Sequence, residues 1–361
     1  MSRFYLIGLI FIPLFSLGQV KLKDALAFGD QQYQKGDYYY ALDYYQQALT
    51  LDPENIELVW KIAETNRAYK DYVQAEKYYS IVYSKDEDAE RFPDAILYFS
   101  LMQKQNGKYK EALANFKTAK KLFAEDKSSF RYKKAAQEVE STNWAMKQWK
   151  LGPDLGIQLA PMTENINSFD AEFGHSVLNG KLYFSSLKAD STDEELQEVY
   201  AKSYHTSLYE VSLEDKYSVA KKLNELIPAG RSIGNSSFSK DQSIYYSVCT
   251  DQDFNYTCAI VYRKKDATGQ WTTLDSLNTL VNEIGVNTSM PHLSKLDGQD
   301  VLFFSSNRKG TKGGMDLWFA QLDKEGNPVL VKNISSLNSL ENDICPWYDT
   351  VENRLFFSSS W

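Results

Sequence analysis

Histidine and cysteine are scarce in this 361-residue chain, with three of each. That scarcity removes most common catalytic and metal-binding arrangements. His175, His205 and His292 stand far apart, and no His-Glu-x-x-His pair, zinc-spaced Cys/His cluster or Gly-x-Ser-x-Gly elbow occurs. A basic excess is missing too. The 40 Lys and Arg against 48 Asp and Glu leave a net charge of −8. No Lys/Arg block interleaves with aromatics, so a nucleic-acid partner is disfavoured. Long hydrophobic runs are also lacking: Phe4–Leu17 is short and interrupted by Pro13, a poor membrane span.

What is present begins with a secretory signal at 1–18. Arg3 is the basic start, Phe4–Leu17 the apolar run, and Ser16 and Gly18 supply small residues for cleavage before Gln19. An uncleaved anchor is the alternative. No Cys follows the run, which speaks against a lipid anchor. Export exposes cysteines to an oxidising compartment. Cys249 and Cys258 flank a polar loop between two strand-like segments. They are either bridged across a hairpin or two unpaired small apolar residues. Cys345 has no evident partner.

From Leu22 the pattern is helical. Gly29, Tyr33, Gly36-Asp37-Tyr38, Ala41, Tyr45, Ala48 and Pro53 fall at the offsets of a tetratricopeptide repeat. Ala63, Asp71-Tyr72, Ala75, Tyr79 and Val82 repeat them 34 residues later. Ser100, Gly107-Lys108-Tyr109, Ala112, Phe116 and Ala119 form a third copy after an insertion of three. The small residues let two helices approach closely, and Tyr45, Tyr79 and Phe116 fill the joint to the next repeat. Ser128–Trp149 reads as a capping helix, so the solenoid occupies 19–149. Lys120, Lys121, Arg131, Lys133 and Lys134 could attract an acidic partner, but read first as a solvated helix face. Such an array offers a groove lined by each first helix, and the groove-facing positions are Asp30, Tyr33, Gln34, Trp60, Glu64, Arg67, Lys104 and Gln105. Trp60 and Arg67 are types enriched at binding hot spots, although Trp60 could equally pack inside its hairpin.

Residues 150–361 change to aromatic strands. LYFSS, IYYSV, LFFSS and LFFSS recur, with Phe184, Tyr246, Phe304 and Phe357 spaced 62, 58 and 53 residues apart. This is the rhythm of propeller blades with inserted loops such as Leu187–His205. Asn167, Asn282 and Asn338 precede three units and suggest pinned turns. His175, His292 and Pro346 read as equivalent packing positions. Asp190, Asp193, Glu194, Glu195 and Glu198 lack the alternation of a calcium loop and read as solvated, and no metal or cofactor is expected.

The Asn-Ser lead-in, the LYFSS or LFFSS strand and Gly-Gly-Met-Asp-Leu-Trp at 313–318 resemble the WD40-like, TolB-type propeller repeats. Joined to exported tetratricopeptide repeats, the chain is similar to Bacteroidetes periplasmic proteins that carry repeats, a propeller and an OmpA-like domain. One such class is the peptidoglycan-associated component of type IX secretion. The resemblance implies a non-enzymatic scaffold whose partners are periplasmic or outer-membrane proteins, with peptidoglycan held through an OmpA-like domain that nothing here corresponds to. The expected fold is an α + β multidomain chain: a tetratricopeptide α-solenoid, then about three and a half blades of a WD40-like β-propeller in a piece of a longer protein. The rival readings are a glycan- or peptidoglycan-binding module and an exported enzyme with a propeller pocket.

Overall fold

The computed structural model describes residues 21–152, 156, 158, 160–168, 171–187, 205–215, 217–228, 231–252 and 255–361, and no side chains at 251–256. The expected signal and the acidic cluster at 190–198 lie outside these residues. The chain divides between 155 and 156 into two compact units.

The first unit is seven helices: α1 Leu22–Gln34, α2 Tyr38–Leu51, α3 Ile56–Ala68, α4 Tyr72–Lys85, α5 Ala95–Gln105, α6 Tyr109–Leu122 and α7 Phe130–Leu151. Asp37 and Asp71 start α2 and α4 by accepting from the Tyr40 and Gln74 amides, and Ser129 starts α7 through the Tyr132 amide. Three hairpins and a closing helix result. Ala41, Ala63, Ala75, Ser100 and Ala112 are fully buried where paired helices touch. Gly29 belongs to this set because a β-carbon there would come within 2.6 Å of the Tyr45 ring. Tyr45, Tyr79 and Phe116 fill successive joints. Fully burying rings of this size contributes about 2–3 kcal/mol each. The basic cluster is only partly solvated. Arg131 forks onto Asp94 at 2.6 and 3.1 Å, and Lys134 is buried against Glu138.

The second unit is a row of antiparallel meanders. The first holds β1 Glu172–Leu178, β2 Lys181–Ser186, β3 Ser207–Ser212 and β4 Lys221–Lys222. The second holds β5 Ser232–Phe238, β6 Ile244–Gln252, β7 Asn255–Arg263 and β8 Asp275–Ser276. The third holds β9 Thr288–Leu296, β10 Gln299–Ser306, β11 Asp316–Leu322 and β12 Pro328–Asn333, and β13 Asp343–Asp349 pairs with β14 Arg354–Ser359. The leading strands β1, β5 and β9 each contact the leading strand of the next sheet, the last of these contacts being with β13. Apolar clusters fill the spaces between sheets, one around Tyr183, Leu226, Ile233 and Tyr246 and another around Tyr245, Ile260, Phe304 and Trp318.

Each leading strand carries a bulge at the same place, with Gly174, Asn235, Met290 and Cys345 in the left-handed region. For non-glycine residues that conformation costs about 1–2 kcal/mol. At two of the bulges a serine of the preceding aromatic strand helps offset it. Ser185 Oγ accepts from the Asn235 amide of the next sheet, and Ser247 Oγ from the Met290 amide, both at 2.9 Å. The LYFSS motif is thus a clip between sheets. Ser305 is equally buried but has no hydrogen-bond partner.

The bulge also corrects the expected histidine equivalence. His175 aligns with Ser236, Pro291 and Pro346, whereas His292 lies one residue on, with Ser176 and Trp347. His175 is exposed, while His292 lies between the Phe303 and Trp347 rings and burial pushes its pKa down. The repeated asparagines reach further than expected. Asn282 clamps both backbone groups of Ile260, and Asn338 both of Leu317, each across to the third strand of the preceding sheet. Each also bonds locally five residues back, Asn282 to the Leu277 carbonyl and Asn338 to Asn333 Oδ1, as Asn167 does to the Met162 carbonyl. The Gly-Gly pair is explained by contact: a β-carbon on Gly313 would collide with the backbone at Leu340 and Glu341.

Candidate functional site

The eight groove candidates lie on the first helices of the hairpins. Asp30, Tyr33 and Gln34 are on α1, Trp60, Glu64 and Arg67 on α3, and Lys104 and Gln105 on α5. Four of them, Asp30, Glu64, Arg67 and Lys104, are engaged in bonds that join one helix to the next or to its own hairpin partner.

Asp30 accepts from the Tyr45 hydroxyl at 2.6 Å and pairs with Lys61 of α3. Burial opposes its ionisation, yet the Lys61 and Tyr45 donors hold its carboxyl below the ordinary range. Glu64 repeats the arrangement one hairpin on. It accepts from the Tyr79 hydroxyl and from Arg67 Nη2 at 2.6 Å, while Arg67 Nε donates to the Tyr79 oxygen at 2.9 Å. Burial opposes the Arg67 charge, but Tyr79 and Glu64 raise its pKa on balance. Its guanidinium also lies 4.5 Å from the Tyr98 ring centre of α5, a cation–π contact. Lys104 Nζ reaches Glu138 and Ser141 of α7, each at 2.6 Å, and Glu138 also pairs with Lys134 at 3.2 Å. A ladder of side chains therefore ties α1 to α3, α3 to α5 and α5 to α7.

Exposure decides which rungs matter. The Lys61–Asp30 side chains are 40% and 43% exposed, so that pair contributes little, about 0.2–1 kcal/mol. Glu138 is 5% exposed beside Lys134 at 7%, and breaking that pair would strand a buried charge. Trp60 is half-buried in the joint between the second and third hairpins, 5.3 Å from Phe92, 5.5 Å from Tyr79 and 6.3 Å from Tyr98. Its ring packs both on its own hairpin partner through Tyr79 and on the next repeat through Phe92 and Tyr98.

Of the remaining three candidates, two are presented outward and one is half-buried. Gln34 and Gln105 are exposed at corresponding ends of α1 and α5 and bond to no other described residue. Tyr33 is half-buried against Tyr38 at 5.4 Å, and burial together with the Glu64 charge raises its hydroxyl pKa.

Sequence reasoning missed the Tyr–acid unit, although a signal was there. Tyr45 and Asp30 are 15 residues apart, and so are Tyr79 and Glu64. In the third hairpin Phe116 lacks the hydroxyl and Leu101, the residue at that spacing, lacks the carboxylate. Both join one apolar cluster. Acid and hydroxyl are lost together. In the second unit Cys249 and Cys258 face each other across β6 and β7 and are bridged, with Cα atoms 4.1 Å apart. Cys345 is free, its sulfur 3.5 Å from that of Met290.

No protein-family model and no curated protein matches the chain. Among solved structures it is similar to PcrH from Pseudomonas aeruginosa, at 22% identity over 34% of this chain and 91% of that one, with a TM-score of 0.30. It is similar to the type III secretion translocator chaperone SycD of Yersinia enterocolitica, at 19% identity over 37% and 92%, with a TM-score of 0.31. The first TPR domain of human RPAP3 matches at 17% identity over 37% and 97%, with a TM-score of 0.30.

Proposed function

We propose that the chain is a non-enzymatic scaffold of the exported compartment that holds a protein partner on the face formed by its first helices. One observation carries this reading: α1, α3, α5 and α7 are tied together by side-chain bridges while Gln34 and Gln105 stand outward. A surface already ordered before binding loses little entropy when a peptide or helix docks. The Cys249–Cys258 bridge supports export, because such bonds persist in oxidising compartments. We read the meanders as blades of a β-propeller, supported by the leading strands that follow one another from sheet to sheet. Association with the outer membrane or cell wall, and with type IX secretion, rests on the strand-motif resemblance alone.

Cell fractionation followed by in-cell crosslinking tests the proposal. The protein should be found in the envelope fraction with one dominant crosslinked partner. Gln34→Arg with Gln105→Arg should reduce that product at least about tenfold, a loss of some 1.4 kcal/mol. Recovery in the cytoplasm, or an unchanged product, would remove the reading.

A further inference from the structure

The outer ends of the first two meanders enclose a pocket that the scaffold reading leaves unused. It has a volume near 400 Å³, within the roughly 300–1,000 Å³ of small-ligand sites. Its floor is Leu223 and the Trp271 ring, both set on the apolar cluster of Tyr183 and Leu226. One wall is the Lys181–Glu210 pair across β2 and β3, with Nζ and the carboxylate 3.1 Å apart. The rim is Glu225 from the 3₁₀ turn Asn224–Leu226, and Lys265 and Gln270 from the loop after β7.

That loop is ordered from within. Asp266 accepts from the Thr268 amide, the Thr268 hydroxyl and the Gln270 amide, and its own amide donates to the Gln270 carbonyl. Lys264 and Thr272 exchange two further bonds, and Arg263 donates to the Thr272 carbonyl at 3.2 Å. Trp271 and Gln270 are therefore held in place. Lys265 lies 4.9 Å from the Trp271 ring centre, on a flexible stem that a ligand can displace. The Glu225 carboxylate and the Gln270 side-chain amide are exposed and have no partner among the described residues.

The chemistry of this lining selects a ligand class. Two carboxylates and two ammonium groups cancel, so neither an anion nor a cation is favoured. A single indole offers an apolar face, and both donors (Lys181, Lys265, Gln270) and acceptors (Glu210, Glu225, Gln270) line the same pocket. A pyranose has the matching shape: a C–H face that packs on an aromatic ring and hydroxyls around its edge that both donate and accept. We propose that this pocket binds a neutral pyranose sugar, with Trp271 as the platform and Glu225 and Gln270 as hydroxyl partners.

Saturation-transfer NMR on the whole protein, with glucose, galactose, N-acetylglucosamine and the disaccharide of N-acetylglucosamine as probes, tests this. Inorganic phosphate and ethylammonium serve as charged controls. At least one sugar should show transfer to its ring protons at or below about 10 mM. Glu225→Ala and Gln270→Ala, both on exposed side chains that hold nothing else, should each weaken it about tenfold. Stronger binding of the disaccharide would point to a polymer as the source, and equal binding to a free sugar. Absence of transfer from every sugar, transfer that both variants leave unchanged, or preference for a charged control would each overturn the proposal.

Discussion

The Tyr79–Glu64–Arg67 unit can be tested by turning the second hairpin into a copy of the third. Tyr79→Phe removes the donor to Glu64 and the acceptor of Arg67 Nε. Hydrogen bonds to charged groups contribute about 1.5–3 kcal/mol, and Tyr79 is fully buried, so the loss should fall in that range. Glu64→Leu leaves the Tyr79 O–H without its acceptor and takes the carboxylate from Arg67, whose side chain is 35% exposed and can recruit water for part of the deficit. A cost of about 2 kcal/mol follows. The double variant recreates the Phe116/Leu101 pair and leaves no stranded hydroxyl. It should cost less than the sum of the singles by about 1 kcal/mol or more. Urea unfolding of the whole protein, followed by far-ultraviolet circular dichroism and by amide exchange in α3 and α4, reads all four proteins. Costs that add to within about 0.5 kcal/mol would refute the idea that acid and hydroxyl form one unit.

Three further outcomes are expected. Glu138 has a lowered pKa against the pull of burial, because Lys104 and then Lys134 favour its charge. Its stabilisation is thus complete above the ordinary carboxylate range and is lost as pH falls through the depressed folded value. Glu138→Gln should flatten that acid limb and cost about 3–5 kcal/mol at neutral pH, read from urea midpoints across pH. Ser247→Ala should cost about 1–3 kcal/mol and speed exchange of the Met290 amide, whereas Ser305→Ala, which loses no bond, should be near neutral. Alkylation of the denatured protein, read by mass, should find one thiol before reduction and three after, since only Cys345 is free. Three thiols without reduction would contradict the bridge.

Much of the helical unit was legible because its determinants are local and periodic. A small residue at Gly29, Ala63 or Ser100 has meaning only opposite its hairpin partner, and a constant spacing reveals that. The groove was harder to read. Asp30 meets Lys61 and Lys104 meets Glu138 across repeat boundaries, and long side chains can fold back onto neighbours from a position that backbone geometry alone would present to a partner. Trp60 is such a case. In the sheets the recurring serines were visible as a motif, but their partner is an amide at a bulge, and a bulge leaves no mark in residue types as different as Gly174, Asn235, Met290 and Cys345. The same bulge shifted His292 by one place from where counting put it. Asn282 and Asn338 were legible as repeated residues, though their reach to Ile260 and Leu317 depends on strand neighbours that spacing does not reveal.

The most direct measurement is a positional photo-crosslinking map. A photoreactive residue would replace Gln34 or Gln105 on the first-helix face, and Tyr39 or Val73, 63% and 66% exposed on α2 and α4. The scaffold account expects the same partner protein captured from the first two positions and not from the second two. Capture that is equal at all four, or confined to Tyr39 and Val73, would contradict it.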